Sequence, residues 1–371
     1  MKEFFKVKQI RFFILTCLFI MLSAFCFAQN ANNAANDEGK NDKLNAGELI
    51  IGHLLDEYQW HFFTWKGHHV GIDLPVIVFD EGHLYGFSSK HLHHGEYVTT
   101  DKGDGEKAVF AIASDGQYKG KVVRVLDDGA VRRPIDISIT KNVFAIFISV
   151  TVIIILFLLT AKNYKMRGEK APKGVAALME PIIEFVTNDI AKKSIGPKYE
   201  KYLPYLLTVF FFILINNLFG LIPFFPFGAN ITGNIAVTAV LATFTFLITN
   251  LTGTKEYYKD IFDTPGVPWW LKRPLILMPI IETVGCITKP FVLAIRLFAN
   301  ITAGHIVVLG FVTVIFVLAE MSAAAGGAMS VLSLVFSVFV DCLELLVAFV
   351  QAYVFTLLSA IYFGTAAKEE H

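Results

Sequence analysis

The sequence predicts an all-α polytopic membrane protein with five transmembrane helices and one interfacial amphipathic helix, preceded by a small exported domain with β structure. Of the 371 residues, 54% are hydrophobic, and many lie in runs long enough to cross a bilayer. Basic residues cluster in some of the short connections between these runs and are absent from others, which is typical of a membrane protein with a defined orientation. The last two apolar runs are unusually long and predict a tilted helical hairpin.

The composition excludes several functional classes. The formal net charge is zero, so nothing indicates nucleic-acid binding. The four cysteines follow neither a disulfide framework nor a metal-ligand spacing. The cysteines therefore predict no metal site; the expectation of no cofactor and no catalytic chemistry of the chain's own rests on the resemblance described below.

Residues 1–28 have the pattern of a secretory signal peptide. Basic residues precede an apolar stretch over 12–27, and Ala28 offers a cleavage point. An uncleaved membrane anchor is the main alternative, and either would place the following segment outside the cytoplasm.

Residues 29–140 are predicted to form an exported extension. Its first part, 29–45, is polar and typical of a linker. From 70 to 139, short β-like runs alternate with glycine-rich turns, which predicts a small domain with β structure.

This extension is rich in histidine, whose neutral imidazole is a common metal ligand. No pair among these histidines has a recognisable ligand spacing with cysteine or carboxylate residues, so we favour solvated or structural roles over a metal site. Eight of the ten histidines are found here: His53, His61, His68, His69, His83, His91, His93 and His94.

The membrane domain is predicted to cover 141–371 and to begin with a span at 142–161. This span is followed by a basic connection, so the positive-inside rule places the connection in the cytoplasm. The basic residues are Lys162, Lys165, Arg167, Lys170 and Lys173, with only Glu169 opposing them.

Residues 174–196 predict the interfacial helix, because apolar residues recur at helical spacing on one face and charged residues occupy the other. Further spans are expected at 202–222 and 231–251, joined by an uncharged outer connection. The basic connection that follows is again cytoplasmic by the same rule.

The final hairpin is predicted from apolar runs at 274–319 and 331–363, with a flexible turn at 322–328 and a cytoplasmic C-terminus. A continuous helix over 274–319 would be roughly 70 Å long, more than twice a hydrocarbon thickness of about 30 Å. Either this helix is steeply tilted or Pro290 breaks it.

Arg296 lies deep in the first run of the hairpin, with no charged residue within six positions on either side. A guanidinium near the centre of a bilayer costs roughly 2.5–3.5 kcal/mol on insertion scales and cannot lose its proton. An arginine that snorkels to a headgroup is the alternative to a functional charge. The depth of Arg296 favours a functional role.

Two polar levels are predicted across the hairpin. In an antiparallel helix pair, residues at one level have a nearly constant sum of residue numbers, which matches Arg296 with Gln351 and His305 with Glu344. A histidine–glutamate pair at membrane depth is typical of a proton relay, although a structural salt bridge is the alternative.

Two further polar side chains share the face of Arg296. Asn300 lies within 40° of it on an ideal helix, and Glu282 lies near the same face about 21 Å toward the cytoplasm. The pattern is therefore an outer titratable pair, a central fixed cation and an inner carboxylate.

The stretch Ile-Arg-Leu-Phe-Ala-Asn at 295–300, Ala-Gly-His at 303–305 and Gln-Ala-Tyr-Val-Phe at 351–355 closely resembles subunit a of F-type ATP synthases. Further matches are Leu-Phe-Gly-Leu-Ile-Pro at 218–223, Asn234, and Lys-Pro at 289–290. The resemblance covers about 140–371, and the signal-bearing extension is similar to long forms found in some bacteria, especially Bacteroidetes-like ones.

The resemblance implies a proton-conducting stator subunit in the bacterial inner membrane. Its partners would be the c-ring, the subunit b peripheral stalk and the lipid bilayer. Arg296 would face the c-ring carboxylates beside Gln351, while Asn300, His305 and Glu344 would line the outer half-channel and Glu282 the cytoplasmic one. Many bacterial members have the histidine and the glutamate in exchanged positions, which supports direct contact between them.

Three questions stay open at this point. Asn217 and Asn234 lie near the outer ends of their spans and either line the same channel or only cap and pack. The transported ion is H⁺, with Na⁺ not excluded. A stand-alone ion-coupled secondary transporter is the alternative function, but the sequence lacks the internal repeat that such a protein predicts.

Overall fold

The computed structural model describes residues 58–65, 68–95, 97–101, 107–113, 118, 120–126, 129–167, 171–222, 228–263 and 277–367. The predicted signal peptide at 1–28 and the linker at 29–45 lie outside these residues. The chain divides into two units, residues 1–147 with 223–229 and residues 148–222 with 230–371. The first contains the β strands, and the second contains most of the helical residues.

Nine antiparallel strands lie in the described part of the first unit, in agreement with the predicted β structure. β1 pairs with β2, β3 lies between β4 and β9, and the remaining strands form a four-stranded sheet in sequence order. The strands are β1 (Gln59–Trp65), β2 (His68–Asp73), β3 (Pro75–Asp80), β4 (His83–Ser88), β5 (Val98–Asp101), β6 (Lys107–Ile112), β7 (Val122–Val125), β8 (Val131–Arg132) and β9 (Ile135–Asp136).

The core of this unit follows from the alternation of side chains along β3. Val76 and Val78 are fully buried, whereas Phe79 is exposed, the period of two expected of a strand with one covered face. The valines join Tyr85 and Phe110, whose ring centroids are 5.1 Å apart.

An ion-pair cluster ties the three-stranded sheet to the four-stranded sheet. Arg124 on β7 donates to Asp80 at 2.7 Å and to Glu81 at 2.6 Å, and its side chain is only 11% exposed. Arg132 on β8 faces the same carboxylates at 3.9 and 3.3 Å and is 54% exposed. The hydrogen bond to Glu81, and as a smaller effect the hydrogen bond to Asp80, raises the pKa of Arg124 above its ordinary value.

Eight α helices lie in the described residues. A π-helical segment, Phe185–Ala191, joins α2 to α3, and a short 3-10 turn, Gly196–Lys198, joins α3 to α4. The helices are α1 (Lys141–Arg167), α2 (Val175–Glu184), α3 (Lys192–Ile195), α4 (Tyr199–Gly220), α5 (Ile235–Leu251), α6 (Lys255–Phe262), α7 (Leu277–Met321) and α8 (Ala323–Ala366).

The chain reverses direction at Gly196, whose φ of 78° is a conformation that side chains with a β-carbon rarely adopt. As a result, Phe185 before the reversal and Phe210 after it both contact the ring of Phe349 on α8, with centroids 6.2 and 6.0 Å apart. The predicted amphipathic segment at 174–196 is therefore helical and packs against α4 and α8. Its position at the membrane interface stays a prediction.

The C-terminal hairpin has the predicted antiparallel alignment. The hydroxyl of Ser333 on α8 donates to the carbonyl of Phe311 on α7 at 3.2 Å, and Phe311 stacks on Phe336 with centroids 5.4 Å apart. α7 continues through Pro290, so the open question about this run is answered by one unbroken helix.

The turn of the hairpin is shorter than the sequence predicts. The flexible connection expected at 322–328 is wrong, because α7 ends at Met321, α8 begins at Ala323 and only Ser322 lies between them. Alanine favours the helix strongly enough to offset two glycines. Gly326 fits there because its α-carbon lies directly against Ala319.

By length and composition, four helical stretches in the described part are able to cross a membrane, or five if a bent pair counts as one span. The bent pair is α5 and α6, which meet at 101°. These stretches agree with a polytopic membrane protein, and the predicted number of five spans stays a prediction.

Candidate functional site

Arg296 lies on α7 with its side chain exposed at the surface of the chain. Its neighbours Leu293 and Leu297 are buried to 1% exposure, so this part of the helix has one packed face and one open face. Among the residues that the structure describes, none forms a hydrogen bond or an ion pair with Arg296. The guanidinium is therefore exposed and has no hydrogen-bonding or ion-pair partner in the described part of the chain.

Glu282, Lys289 and Arg296 recur every seven residues and so form one stripe along α7, because seven residues bring the helix back to within about 20°. Glu282 is half-buried and Lys289 is exposed. The Lys289 ammonium lies 5.8 Å from the ring centroid of Tyr362 on α8. This places a carboxylate and a second cation on the side of α7 that carries Arg296.

Gln351 lies across the hairpin from Arg296 by the observed alignment of α7 and α8. It is 6% exposed and packs next to Ala352, which is fully buried. No hydrogen bond joins Gln351 to Arg296. Asn300, about one turn after the arginine, is exposed like it. Arg296 and Gln351 thus lie at the same level of the hairpin, but no hydrogen bond or ion pair engages the guanidinium in the described part of the chain.

The second predicted level contains a close contact between the two helices. The carboxylate of Glu344 on α8 lies against Gly304 on α7, so closely that a β-carbon at residue 304 would overlap it. His305, the next residue, is half-buried. One carboxylate oxygen of Glu344, Oε1, is buried and has no hydrogen-bond partner among the described residues. Glu344 thus contacts Gly304, the residue immediately before its predicted partner His305.

Asp341 is a polar residue that the sequence analysis missed. It is half-buried on α8, one helical turn before Glu344 and on the same face. A charged residue within a long apolar run is the signal that could have found it, although Glu344 three positions later means that Asp341 is not an isolated charge as Arg296 is.

Asn217 and Asn234 are both engaged in packing or capping. The amide nitrogen of Asn217 donates to the carbonyl of Ala348 on α8 at 3.2 Å, and its oxygen accepts from Thr232 at 2.6 Å. Asn234 is the N-cap of α5, where its side chain accepts from the Ala236 N–H at 3.0 Å. Asn217 therefore has a packing role and Asn234 a capping role, and a part for either in a channel stays a prediction.

A buried hydroxyl chain crosses from α4 to α8 through α5. The hydroxyl of Tyr205 bonds that of Thr245 at 2.8 Å, and Thr245 bonds Ser359 at 3.3 Å. Thr245 and Ser359 are fully buried. The sequence analysis missed this chain, although buried threonines at 238, 245 and 249 form a polar stripe at helical spacing in the third predicted span.

A small pocket opens next to this chain and reaches the stripe on α7. Thr249, Tyr257, Cys286, Lys289 and Tyr362 line part of it. The Tyr257 hydroxyl lies 3.6 Å from the sulfur of Cys286. The pocket thus places hydroxyl groups and an ammonium along the half of α7 that precedes Arg296.

The described residues contain no group of three or more His, Cys, Asp or Glu side chains able to hold a metal ion. Of the extension's histidines, His53 lies outside the described residues, and the structural reading of the others stays a prediction.

The hairpin with its isolated arginine defines a class of polytopic membrane protein in which a fixed charge is presented to the outside of the chain. Comparison with known proteins identifies the class. A family model described as ATP synthase A chain matches residues 143–364, and a second, described as a domain of unknown function (DUF8433), matches residues 49–137. The chain belongs to the ATP synthase A chain family.

Several relatives carry the name ATP synthase subunit a. One from Chlorobium phaeobacteroides strain DSM 266 is 46% identical over 243 residues, which is 64% of this chain and 67% of the relative. One from Pelodictyon phaeoclathratiforme is 41% identical over 75% of this chain and 84% of its own length. A third, from Chlorobium phaeobacteroides strain BS1, is 37% identical over 80% of this chain and 92% of its own.

Proposed function

We propose that this chain is the proton-conducting stator subunit of a rotary F-type ATP synthase and catalyses no bond chemistry of its own. The observation that carries the proposal is the exposure of Arg296. A guanidinium exposed to lipid on an apolar helix costs several kcal/mol, so an exposed and unpaired arginine requires a counter-charge from another subunit. In this family the partner is a carboxylate of the c-ring.

The proposed topology has five spans, at about 142–161, 202–222, 231–251, 274–319 and 331–363, with an interfacial helix at 174–196. The bent pair α5 and α6 supports the third span. The signal peptide at 1–28 exports the extension at 29–140 to the periplasm, the membrane domain covers 141–371, and the C-terminus is cytoplasmic. The membrane is the bacterial inner membrane. There the chain contacts subunit b of the peripheral stalk and the lipid bilayer.

The outer half-channel leads to Arg296 through Glu344, His305 and Asn300. The contact of Glu344 with Gly304 supports this role, since it places a titratable group between the two helices of the hairpin. A buried carboxylate oxygen without a partner is suited to take up and release a proton, because neither state is held by a competing hydrogen bond. Gln351 forms part of the channel lining next to the arginine.

The cytoplasmic half-channel leads from Arg296 past Glu282. Its support is the stripe that joins Glu282, Lys289 and Arg296, together with the hydroxyl-lined pocket at Thr249 and Tyr257. Since the two half-channels lie on opposite sides of the level of Arg296, the fixed cation separates them and blocks a direct leak. Asn217 and Asn234 then contribute rigidity, through the bonds that occupy their amides.

Proton flow supplies the energy for rotation. Each charge that crosses the membrane contributes about 2.3 kcal/mol per 100 mV, and the ring couples that energy to ATP synthesis. The transported ion is H⁺ in this proposal, and the c-ring carboxylate site decides between H⁺ and Na⁺.

The test is ATP-driven acidification of inverted vesicles that contain the whole ATP synthase. Arg296→Gln should abolish acidification while the complex still assembles, because the positive charge is lost and the shape is largely kept. Ile295→Ala, at an exposed neighbour that carries no charge, is the matched control and should retain acidification. Normal acidification by the Arg296→Gln complex would contradict the proposal.

A further inference from the structure

The three-stranded sheet of the first unit leaves one apolar face open. Its pairings place Leu84 of β4, Phe79 of β3 and Ile135 of β9 in one row. These side chains are 66%, 38% and 63% exposed. On the opposite face, Val76 and Val78 are fully buried in the core. The open face is therefore as apolar as the buried one, which is unusual for a sheet with one side in water.

The apolar face continues along the chain beyond the end of β9. The backbone N–H of Ile137 donates to the carbonyl of Ile77 at 2.9 Å, and that of Ile139 donates to the carbonyl of Pro75 at 3.1 Å. Since alternate residues of a strand share a face, Ile137 and Ile139 extend the row begun by Ile135. Ile137 is 59% exposed.

The open face ends where the chain enters a membrane-crossing helix. α1 begins at Lys141, and two extended residues after Ile139 reach at most about 7 Å. The start of α1 is fastened to the same unit, because Trp60 packs edge-on against Phe144 with ring centroids 5.8 Å apart. Ile139 is thus held next to the start of α1, and Ile135, six residues before Lys141, lies within about 20 Å of it along the extended strand.

Charged residues at the two ends of the apolar strand fit the same location. Arg133 is exposed and shares the face of Ile135 and Ile137 by alternation, and Lys141 follows at the other end. Basic side chains on both sides of an apolar stretch suit a surface that lies in the plane of the headgroups, because they reach phosphates while the apolar side chains enter the acyl boundary.

We propose that Leu84, Phe79, Ile135 and Ile137 form a lipid-docking face, which rests the sheet on the bilayer surface at the start of α1. The occupant is lipid, because the tether to α1 and the flanking basic residues both point to the membrane. The proposal depends on the membrane-crossing role of α1 and is independent of proton conduction.

The test places single cysteines in the full chain, reconstituted in vesicles of phosphatidylcholine and phosphatidylglycerol. The native cysteines are replaced by serine, and Leu84→Cys, Ile135→Cys and Tyr97→Cys carry an environment-sensitive fluorophore. Tyr97 is the matched control, since it is 63% exposed and lies outside the three-stranded sheet. Ile137→Cys is a further site on the same face if Ile135→Cys does not reconstitute.

Labels at residues 84 and 135 should be quenched by nitroxide lipids and should be several-fold less sensitive to iodide than the label at residue 97. Equal sensitivity to iodide at all three positions would show that the face is in water and would overturn the proposal. Protection from both quenchers would also overturn it, because a protein, such as a second copy of the chain, would then cover the face.

Discussion

The carboxylate of Glu344 lies against the α-carbon of Gly304, so closely that a β-carbon at this residue would overlap it. Two long helices approach closely there, and the group between them is titratable. The position of the carboxylate is therefore set by a glycine on the facing helix.

Gly304→Ala should reduce ATP-driven acidification by several-fold. The added methyl group overlaps the carboxylate, which is the far end of a flexible side chain, so the carboxylate moves while the helices stay paired. Gly310→Ala on the same helix is the control, since a β-carbon there meets nothing within 4 Å. Combining Gly304→Ala with the shorter Glu344→Asp should recover part of the activity. If Gly304→Ala pumps normally, the contact has no part in conduction.

Exchanging the outer pair should show that its two members act as a unit. His305→Glu and Glu344→His should each reduce acidification strongly, and the double exchange should recover more than either single change, because it restores one acid and one base at the same level. The measurement is the acidification rate per assembled complex. A double variant no better than the singles would mean that the residues act separately.

Asp341→Asn should slow proton conduction several-fold without abolishing it. The carboxylate is half-buried one turn before Glu344 and so supplies a further polar group on the outer side of the hairpin. Cys342→Ser, at the exposed adjacent position, is the control and should leave the rate unchanged. Equal rates for the two variants would remove Asp341 from the pathway.

Thr245→Val should impair the cytoplasmic side of the pathway. Valine has the shape of threonine but lacks the hydroxyl, so the hydroxyls of Tyr205 and Ser359 lose their common partner and keep only their bonds to the carbonyls of Leu241 and Phe355, at a cost of about 0.5–1.5 kcal/mol. Thr243→Val on the exposed side of α5, where the hydroxyl bonds only its own helix, serves as the comparison. Acidification and the amount of assembled complex are measured for both. If both variants give the same acidification and the same amount of complex, the hydroxyl chain contributes only to packing.

Arg124→Met should destabilise the first unit far more than Arg132→Met. Asp80 is 3% exposed, so the loss of Arg124 leaves a buried carboxylate without its nearest cation, at a cost of about 3 kcal/mol or on the order of 100-fold in amide protection. Arg132 is half exposed and its ion pair contributes about 0–1 kcal/mol. Hydrogen exchange of β3 and β7 in the full chain measures both.

The effect of pH on this cluster follows from the raised pKa of Arg124. A cation whose pKa is higher in the folded state stabilises the fold at every pH below its ordinary value, and the contribution is lost only as the pH rises through the folded-state value. The stabilisation by the Arg124 charge should therefore be constant between about pH 6 and 9. A loss within this range would contradict the ion-pair account.

Much of the membrane domain was predictable because a bilayer penalises each exposed polar group individually. Apolar runs therefore show which helices can cross the membrane, and an isolated charge such as Arg296 signals a function from one position alone. The alignment of the hairpin was predictable for a similar reason, since two antiparallel helices with a short connection have only one register. The length of that connection was not, because the balance between alanine and glycine over 322–328 depends on packing at Ala319.

By itself, the sequence determined the helical membrane class, the β structure of the extension, the isolated Arg296 and its level across from Gln351. Only the tertiary structure decided that Arg296 is exposed while Gln351 is buried, that the chain turns back at Gly196, and that Tyr205, Thr245 and Ser359 meet. The physical reason is that the first group depends on local hydropathy and helical period. The second depends on contacts between residues far apart in the chain, which no local pattern encodes.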